Sequence, residues 1–297
     1  MKTKDNKSNQ LHYLTISERD EDWGLVVSTI GNQLVAPQST YPPRNHPANY
    51  LFSPQNGRIL NEFQLIYITQ GQGFFSSQSS KHQKVEAGTM ILLFPHEWHS
   101  YSPDPNTGWE EYWVGFKGKI AQHCIEKGFF SIANPLLYIG LSSTVSNLYH
   151  DILCYASKEK TGFQQIISSI VFHLLSTVYY RARNHTFANN TIIEKINEAR
   201  TLMKEHTENP IAILEIAERI GVGYTWFRRM FKDYTGISPA QYQMQLRLMR
   251  AKELLTTTDL NVVEIAYRLN FGNGGQFATF FKNKEQISPS DFRKRMH

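Results

Sequence analysis

Cysteine is nearly absent from this sequence, with two in 297 residues, Cys124 and Cys154. Two thiols cannot build a disulfide framework or a four-cysteine zinc site. Neither lies in a recognisable nucleophile setting, and no nucleophile elbow is present, so covalent catalysis has no support. Long hydrophobic runs are also missing: the longer ones, such as residues 90–94, fall far short of the roughly 18 apolar residues needed to cross a bilayer. The first ten residues are polar and charged with no apolar stretch behind them, so no secretory signal is expected. These gaps predict a soluble, cytoplasmic chain with no membrane partner. Apolar material is not scarce. Hydrophobic residues make up 41% and charged residues 19%, which excludes wholesale disorder, and the length suits about two domains.

The net charge of +5 is unevenly placed. Residues 192–297 hold 16 Lys and Arg against 12 Asp and Glu, whereas residues 1–191 hold 15 against 14. An excess at one end suits a polyanionic partner, but a motif has to carry that claim.

From about residue 23 to 118 the pattern is all-β. Short runs rich in Val, Ile, Tyr and Phe (24–30, 62–69, 89–94, 110–116) are separated by Gly, Pro, Asn and Ser clusters. Gln70-Gly71-Gln72-Gly73 reads as a hairpin turn rather than a phosphate loop, because no helix follows it. The pattern then turns helical, with apolar residues three and four apart at Val145, Leu148, Ile152 and Tyr155, then at Ile166, Ile170, Leu174 and Val178. Ile167, Val171 and Leu175 widen the second stripe, so that helix needs two partners, the barrel and a second subunit, or burial within its own domain. The predicted organisation is a flexible tail at 1–19, a first domain at 20–183, a polar linker at 184–190 and a second domain at 191–297. Asn184 and Asn189 match the glycosylation pattern, which means nothing without a signal peptide. Thr191 with Glu194 reads as a capping box opening the second domain.

That second domain is internally duplicated. Ile216-Ala217, Phe227, Phe231-Lys232 and Ile237-Ser238-Pro239 recur as Ile265-Ala266, Phe277, Phe281-Lys282 and Ile287-Ser288-Pro289. Each copy has the logic of a helix-turn-helix. In the first, one stripe (Ile213, Ile216, Ala217, Ile220) is broken by Gly221-Val222-Gly223 and followed by another (Phe227, Met230, Phe231, Tyr234). Ser238-Pro239 and Ser288-Pro289 are helix starts. The outer face of the first copy's second helix offers Tyr224, Thr225, Trp226, Arg228, Arg229 and Lys232. Arg pairs with guanine, Thr touches a thymine methyl and Lys holds phosphate, so double-stranded DNA is the expected partner. The second copy offers Asn273, Gly274, Gly275, Gln276, Thr279 and Lys282, with no Arg. The first copy is therefore expected to supply most direct base readout, and the second to grip backbone or read shape.

These landmarks resemble the AraC/XylS family of bacterial transcription regulators over residues 192–297. The resemblance implies two helix-turn-helix modules on one linking helix, with recognition helices entering successive major grooves. Asn270 and Gln286 stand where that family's second repeat has glycine, and Gly275-Gln276 replaces its Ser-Tyr.

The stretch from Gly57-Arg58 through Gln70-Gly71-Gln72-Gly73 and Phe94-Pro95-His96-Glu97-Trp98-His99-Ser100-Tyr101 to Glu110-Glu111-Tyr112-Trp113 resembles the cupin-like sensor domain of the arabinose-type regulators. The implied fold is α+β in two domains: an N-terminal cupin-like β-barrel with dimerisation helices at about 144–183 and a C-terminal all-α double helix-turn-helix. The implied effector is a small molecule, often a sugar, and the family positions point to Arg58, Tyr101, Glu111 and Trp113. Aromatic faces combined with hydrogen-bonding groups suit a carbohydrate, and His99, Trp98 and Trp109 are further candidates. Implied partners are DNA, the effector, a second copy of the chain and, for an activator, RNA polymerase. No catalytic residue, metal or cofactor is expected. His46, His82, His96 and His99 lack the His-x-His arrangement of a cupin metal site, and His96-Glu97-Trp98-His99 lacks the His-Glu-x-x-His spacing. The alternatives are a cupin metalloenzyme fused to a DNA-binding module and a ligand-independent architectural DNA binder.

Overall fold

The computed structural model describes residues 9–42, 53–186 and 190–296. The chain divides into two units, Met1–Thr186 and Phe187–His297.

The first unit runs β1 (Gln10–Tyr13), α1 (Glu18–Glu21), β2 (Val26–Val35), β3 (Arg58–Ile59), β4 (Phe63–Ser77), β5 (Gln83–Glu86), β6 (Thr89–Leu93), β7 (Trp98–Pro103), β8 (Trp109–Lys117), α2 (Lys119–Glu126), β9 (Leu136–Tyr138), α3 (Ser143–Ala156) and α4 (Phe163–Thr186). One antiparallel sheet has the order β1-β2-β8-β4-β6-β9, and β3, β7 and β5 join around the second half of β4. The expected barrel is thus two sheets sharing one long strand, not a hydrogen-bonded ring. Alternation along β4 explains the layering. Leu65 and Tyr67 pack toward α3 and α4, meeting Tyr149, Ile152, Val171 and Leu174, whereas Ile66 and Ile68 lie in a second core with Phe75, Val85, Trp109 and Trp113.

Four expectations need correction. Gln70-Gly71-Gln72-Gly73 is no hairpin turn but the middle of β4, where the strand passes from one sheet to the other. Gly71 has φ +77°, and a Cβ there would stand 2.1 Å from the carbonyl oxygen of Gly108, so glycine serves a bend and a close approach. Residues 10–13, assigned to the flexible tail, pair with β2 from Gln10↔Asn32 to Tyr13↔Thr29, and Leu11 packs on the second core. The linker read at 184–190 overlaps α4, which continues through Thr186. Thr191 lies inside α5 (Asn190–Glu205), so it is not the residue that caps it. On α4 the buried stripe is Ile167, Val171, Leu174, Leu175 and Val178, while Ile166 faces solvent. Gln164 on that helix exchanges two hydrogen bonds with the Val27 backbone (3.1 and 3.0 Å), at the point where β2 slips register against β8.

The second unit continues α6 (Ile213–Arg219), α7 (Tyr224–Thr235), α8 (Pro239–Thr257), α9 (Val262–Arg268), α10 (Gly274–Glu285) and α11 (Pro289–Met296). Each repeat builds its own core. Ile216, Ala217, Phe227 and Phe231 centre one, and Ile265, Ala266, Phe277 and Phe281 centre the other. The long α8 feeds both: Tyr242 and Leu246 pack on the first core, and Ala251, Leu254 and Leu255 lie in the second. It starts with a capping box in which the Gln241 amide donates to the Ser238 hydroxyl (3.3 Å) and the Gln241 side chain accepts from the Ser238 amide (3.0 Å).

Each module also needs two left-handed residues, one after its first helix and one after its second. In the first module these are Gly221 and Gly236; in the second they are Asn270 (φ +57°) and Gln286 (φ +63°). The departures noted in sequence therefore fall at positions with a glycine-favouring backbone. Replacing Gln286 with glycine should raise stability by about 0.5–1 kcal/mol, the relief of a left-handed side chain less the larger chain entropy of glycine. The denaturant midpoint of the Gln286→Gly variant reads this directly.

Candidate nucleic-acid interface and ligand pocket

On α7, Phe227 and Phe231 are fully buried, so the opposite side of the helix faces outward. Tyr224, Thr225, Arg228, Arg229 and Lys232 are exposed. The Arg228 guanidinium lies 5.5 Å from the Tyr224 ring centroid, a cation–π pair one turn apart. Among the described residues, the Arg229 and Lys232 side chains make no hydrogen bond or ion pair. Trp226 departs from its expected place: it is half-buried and packs on the module's core, because its indole lies on the flank of the Phe227 stripe.

On α10, Gly275, Gln276, Thr279 and Lys282 are exposed on the side away from Phe277 and Phe281. Two of the residues expected on this face have structural work. The Asn273 side chain caps the helix, accepting from the Gln276 amide at 2.9 Å. A Cβ on Gly274 would meet Val263 of α9 at 3.2 Å, so that glycine serves helix–helix contact. Just before α10, Arg247 of α8 donates to the Leu269 carbonyl (2.7 Å) and lies 3.8 Å above the Phe271 ring centroid.

The pocket lies in the first unit, within the core shared by the two sheets. Cross-strand register puts its members together: Gln33 opposes Glu111, Ile66 opposes Trp113, and Arg58 opposes His99, two residues before Tyr101 on the same face. Gly31 admits Trp113, since a Cβ there would stand 2.3 Å from the indole ring. Arg58, Tyr101, Glu111 and Trp113, all expected as ligand contacts, line one cavity with Gln33, Gln64, Tyr41 and Tyr13. Its volume is about 30 Å³, roughly one water.

The polar groups here bond to one another. Arg58 donates to the Tyr101 hydroxyl (2.7 Å), the Gln64 carbonyl oxygen (3.3 Å) and His99 Nε2 (3.4 Å). Glu111 accepts from the Gln33 amide and from the Tyr41 hydroxyl (3.1 Å). His99 does not line the cavity. It stands behind Arg58, and because Nε2 accepts, its proton sits on Nδ1 and is donated to the Glu97 carbonyl (3.0 Å). Burial lowers its pKa to about 4, and the Arg58 charge acts the same way. Burial pushes Tyr101 up to about 12, and pushes Glu111 up to about 7 although Gln33, Tyr41 and Arg58 oppose it. Trp98 and Trp109 do not line the cavity: Trp98 donates to the Asn56 carbonyl (2.8 Å), and Trp109 is a core residue packed behind it, its ring 5.7 Å from that of Tyr41 and 6.3 Å from that of Tyr101. Gln33, Gln64, Tyr41 and Tyr13 were not anticipated, since amides and tyrosines in strands look like ordinary surface or core residues until register places them.

Among the described residues, no three His, Cys, Asp or Glu side chains form a metal-binding cluster, and no helix is long and apolar enough to cross a membrane. His82 stacks on Phe74 (5.0 Å), His96 occupies a left-handed turn position, and His46 lies outside the described residues.

A duplicated helix-turn-helix with an outward basic face, together with a separate unit that holds a polar buried pocket, defines a DNA-binding regulator that carries a ligand-binding domain. The AraC-like ligand binding domain family matches residues 38–175, and a helix-turn-helix domain family matches residues 216–295. The chain belongs to the AraC family and is a sequence-specific DNA-binding transcription regulator. It is 22% identical over 251 residues to the Msm operon regulatory protein of Streptococcus mutans, covering 83% of this chain and 88% of that protein. It is 34% identical over 100 residues to the HTH-type transcriptional activator RhaS of Salmonella schwarzengrund, a match spanning 34% of this chain and only 36% of RhaS. A solved AraC-type regulator from Chromobacterium violaceum shares 33% identity over 36% of this chain and 96% of that one, with a TM-score of 0.34.

The raised pKa of Glu111 has a measurable sign. Folding takes up a proton between the ordinary carboxylate value of 4.5 and about 7, so this group's contribution to stability falls as pH rises through that window. His99 has the opposite slope between about 4 and 6.5, so parent and variant must be compared at each pH. Melting temperatures of Glu111→Gln relative to parent should rise between pH 5 and pH 8.

Proposed function

We propose that this regulator activates transcription in response to a small carbohydrate held by Arg58, Tyr101, Glu111 and Trp113, with α7 supplying most base readout and α10 mainly backbone contact. The observation that carries the DNA assignment is the pair of unengaged cations, Arg229 and Lys232, on the face of α7 opposite its buried phenylalanines. Arg229 is the bidentate base reader and Lys232 the phosphate contact. Gln276, Thr279 and Lys282 are exposed polar groups on α10, but none forms the two-pronged pair that guanine takes.

For the effector, one guanidinium, one carboxyl and two amides around the flat faces of Trp113 and Tyr101 suit a compact polyol. A monosaccharide exceeds the free volume, so it binds by displacing the Tyr41 hydroxyl from Glu111 and taking over that bond. RhaS of Salmonella schwarzengrund, to which the helix-turn-helix unit is similar, is a transcriptional activator, which agrees with activation here. No catalytic step is part of the reading, and the chain works in the cytoplasm. Two copies pair through the outward apolar side chains of α4, Ile166, Phe172 and Tyr180, and ligand favours one pairing over another. As an activator it then engages RNA polymerase. Sedimentation of the full chain with and without sugar reads the pairing.

Arg229→Ala should weaken specific binding by about 1–3 kcal/mol and relax one base position, whereas Gln276→Ala and Thr279→Ala should cost less. Titration against duplexes selected from a random pool measures both, and a larger loss of discrimination from the α10 variants reverses the ranking. In a thermal-shift screen of pentoses and hexoses, a stabilising sugar should lose its effect with Arg58→Ala.

A further inference from the structure

The two cores of the DNA-binding unit have no residue in common, and α8 runs between them. That helix is 19 residues long, and each of its halves packs into a different core. One carboxylate bridges them. Glu208, in the segment between α5 and α6 of the first module, accepts from Arg250 of α8 at 2.7 Å through one oxygen. Its other oxygen accepts from Arg268 of the second module at 3.1 Å. Arg250 also pairs with Glu253 (2.8 Å), and Gln243 of α8 donates to the Ile211 carbonyl (2.8 Å), pinning the same segment a second time.

The position of this knot gives it leverage. Arg268 is the last residue of α9, and the turn that follows leads directly into α10. Arg247, one α8 turn before Arg250, holds that turn by its Leu269 and Asn270 carbonyls (2.7 and 3.3 Å). Glu208 therefore ties the first module to the base of the second recognition helix, while Arg247 ties α8 to the turn beside it.

We propose that Glu208, bridging Arg250 and Arg268, is a specificity-determining positioning residue that sets the spacing at which the two modules read DNA. This rests on the reading above that both modules contact the duplex. The bonds are charge-assisted but partly exposed, with Glu208 30% and Arg268 47% accessible at the side chain, so their effect on global stability is small. Their effect on register is not. One base pair displaces the next box by about a tenth of a helical turn in both rise and rotation, more than a pinned module can follow.

The test uses the full chain. Duplexes selected from a random pool by the parent give two boxes and their separation. Parent, Glu208→Gln and Arg268→Ala are then titrated on that duplex, on versions with one base pair added or removed between boxes, and on a duplex keeping only the first box. The parent should bind the altered spacings at least about tenfold more weakly, the cost of roughly one mismatched base pair. Both variants should shrink that penalty to under about threefold while binding the single-box duplex as the parent does. Variants that keep the parent's spacing penalty overturn the proposal. A parent that selects only one box overturns the two-module reading itself, and is seen before any variant is made. Arg268 is exposed at the end of its helix, so Arg268→Ala keeps the comparison open if Glu208→Gln melts early.

Discussion

In each DNA-binding module two phenylalanines four residues apart, Phe227 with Phe231 and Phe277 with Phe281, are shut away from solvent. Burying a side chain of that size contributes about 1.5–3 kcal/mol, far more than any exposed charge can return. The apolar term therefore fixes how each second helix lies on its module, and the charged side is left outside by default. What the helix can bind is then a matter of the residues on that outer side. Arginines and a lysine make the outer side of α7 basic, whereas glycine, glutamine and threonine leave that of α10 smaller and less charged. Selectivity here is layered on a packing decision made by other residues.

The N-terminal unit uses the reverse arrangement. Inward positions of its strands, where alternation places Ile66 and Trp113, also hold Gln33, Gln64 and Glu111. Buried polar groups are tolerated only when bonded, and these are bonded to one another through Arg58, Tyr101 and Tyr41. The pocket's polar groups thus satisfy one another, and a ligand gains only by matching the bonds it displaces. That condition favours hydroxyl-rich molecules of one stereochemistry over apolar ones of similar size. It also accounts for the tautomer of His99, which can support Arg58 only as a neutral acceptor.

Much of this was visible in the order of residues. The duplicated Ile-Ala, Phe and Phe-Lys landmarks located both modules, their cores and their outer faces, because helical periodicity is a local property. Four residues were singled out as candidates from a resemblance, and the structure brings Arg58, Tyr101, Glu111 and Trp113 to one cavity. The misreadings share a cause. Gln70 to Gly73 carries the composition of a turn, yet its glycines serve a strand crossing between sheets. Asn273 and Gly274, expected on the contact face, also carry structural roles that their residue types did not announce: one caps a helix and the other spaces two. In each case the same residue type meets two different backbone demands, and only the neighbours decide which applies.

Local sequence was enough to define the helix pairs, the buried phenylalanines and the basic face of α7, since each depends on residues a few positions apart. It was not enough for the pocket, for the neutral state of His99 or for the bridge from Glu208 to Arg268. Those join residues that strand register or helix packing brings together from dozens of positions away: Gln33 with Glu111, Arg58 with His99, and a carboxylate of the first module with a guanidinium 60 residues later. Proximity of that kind has no signature along the chain, because it exists only once both cores have formed.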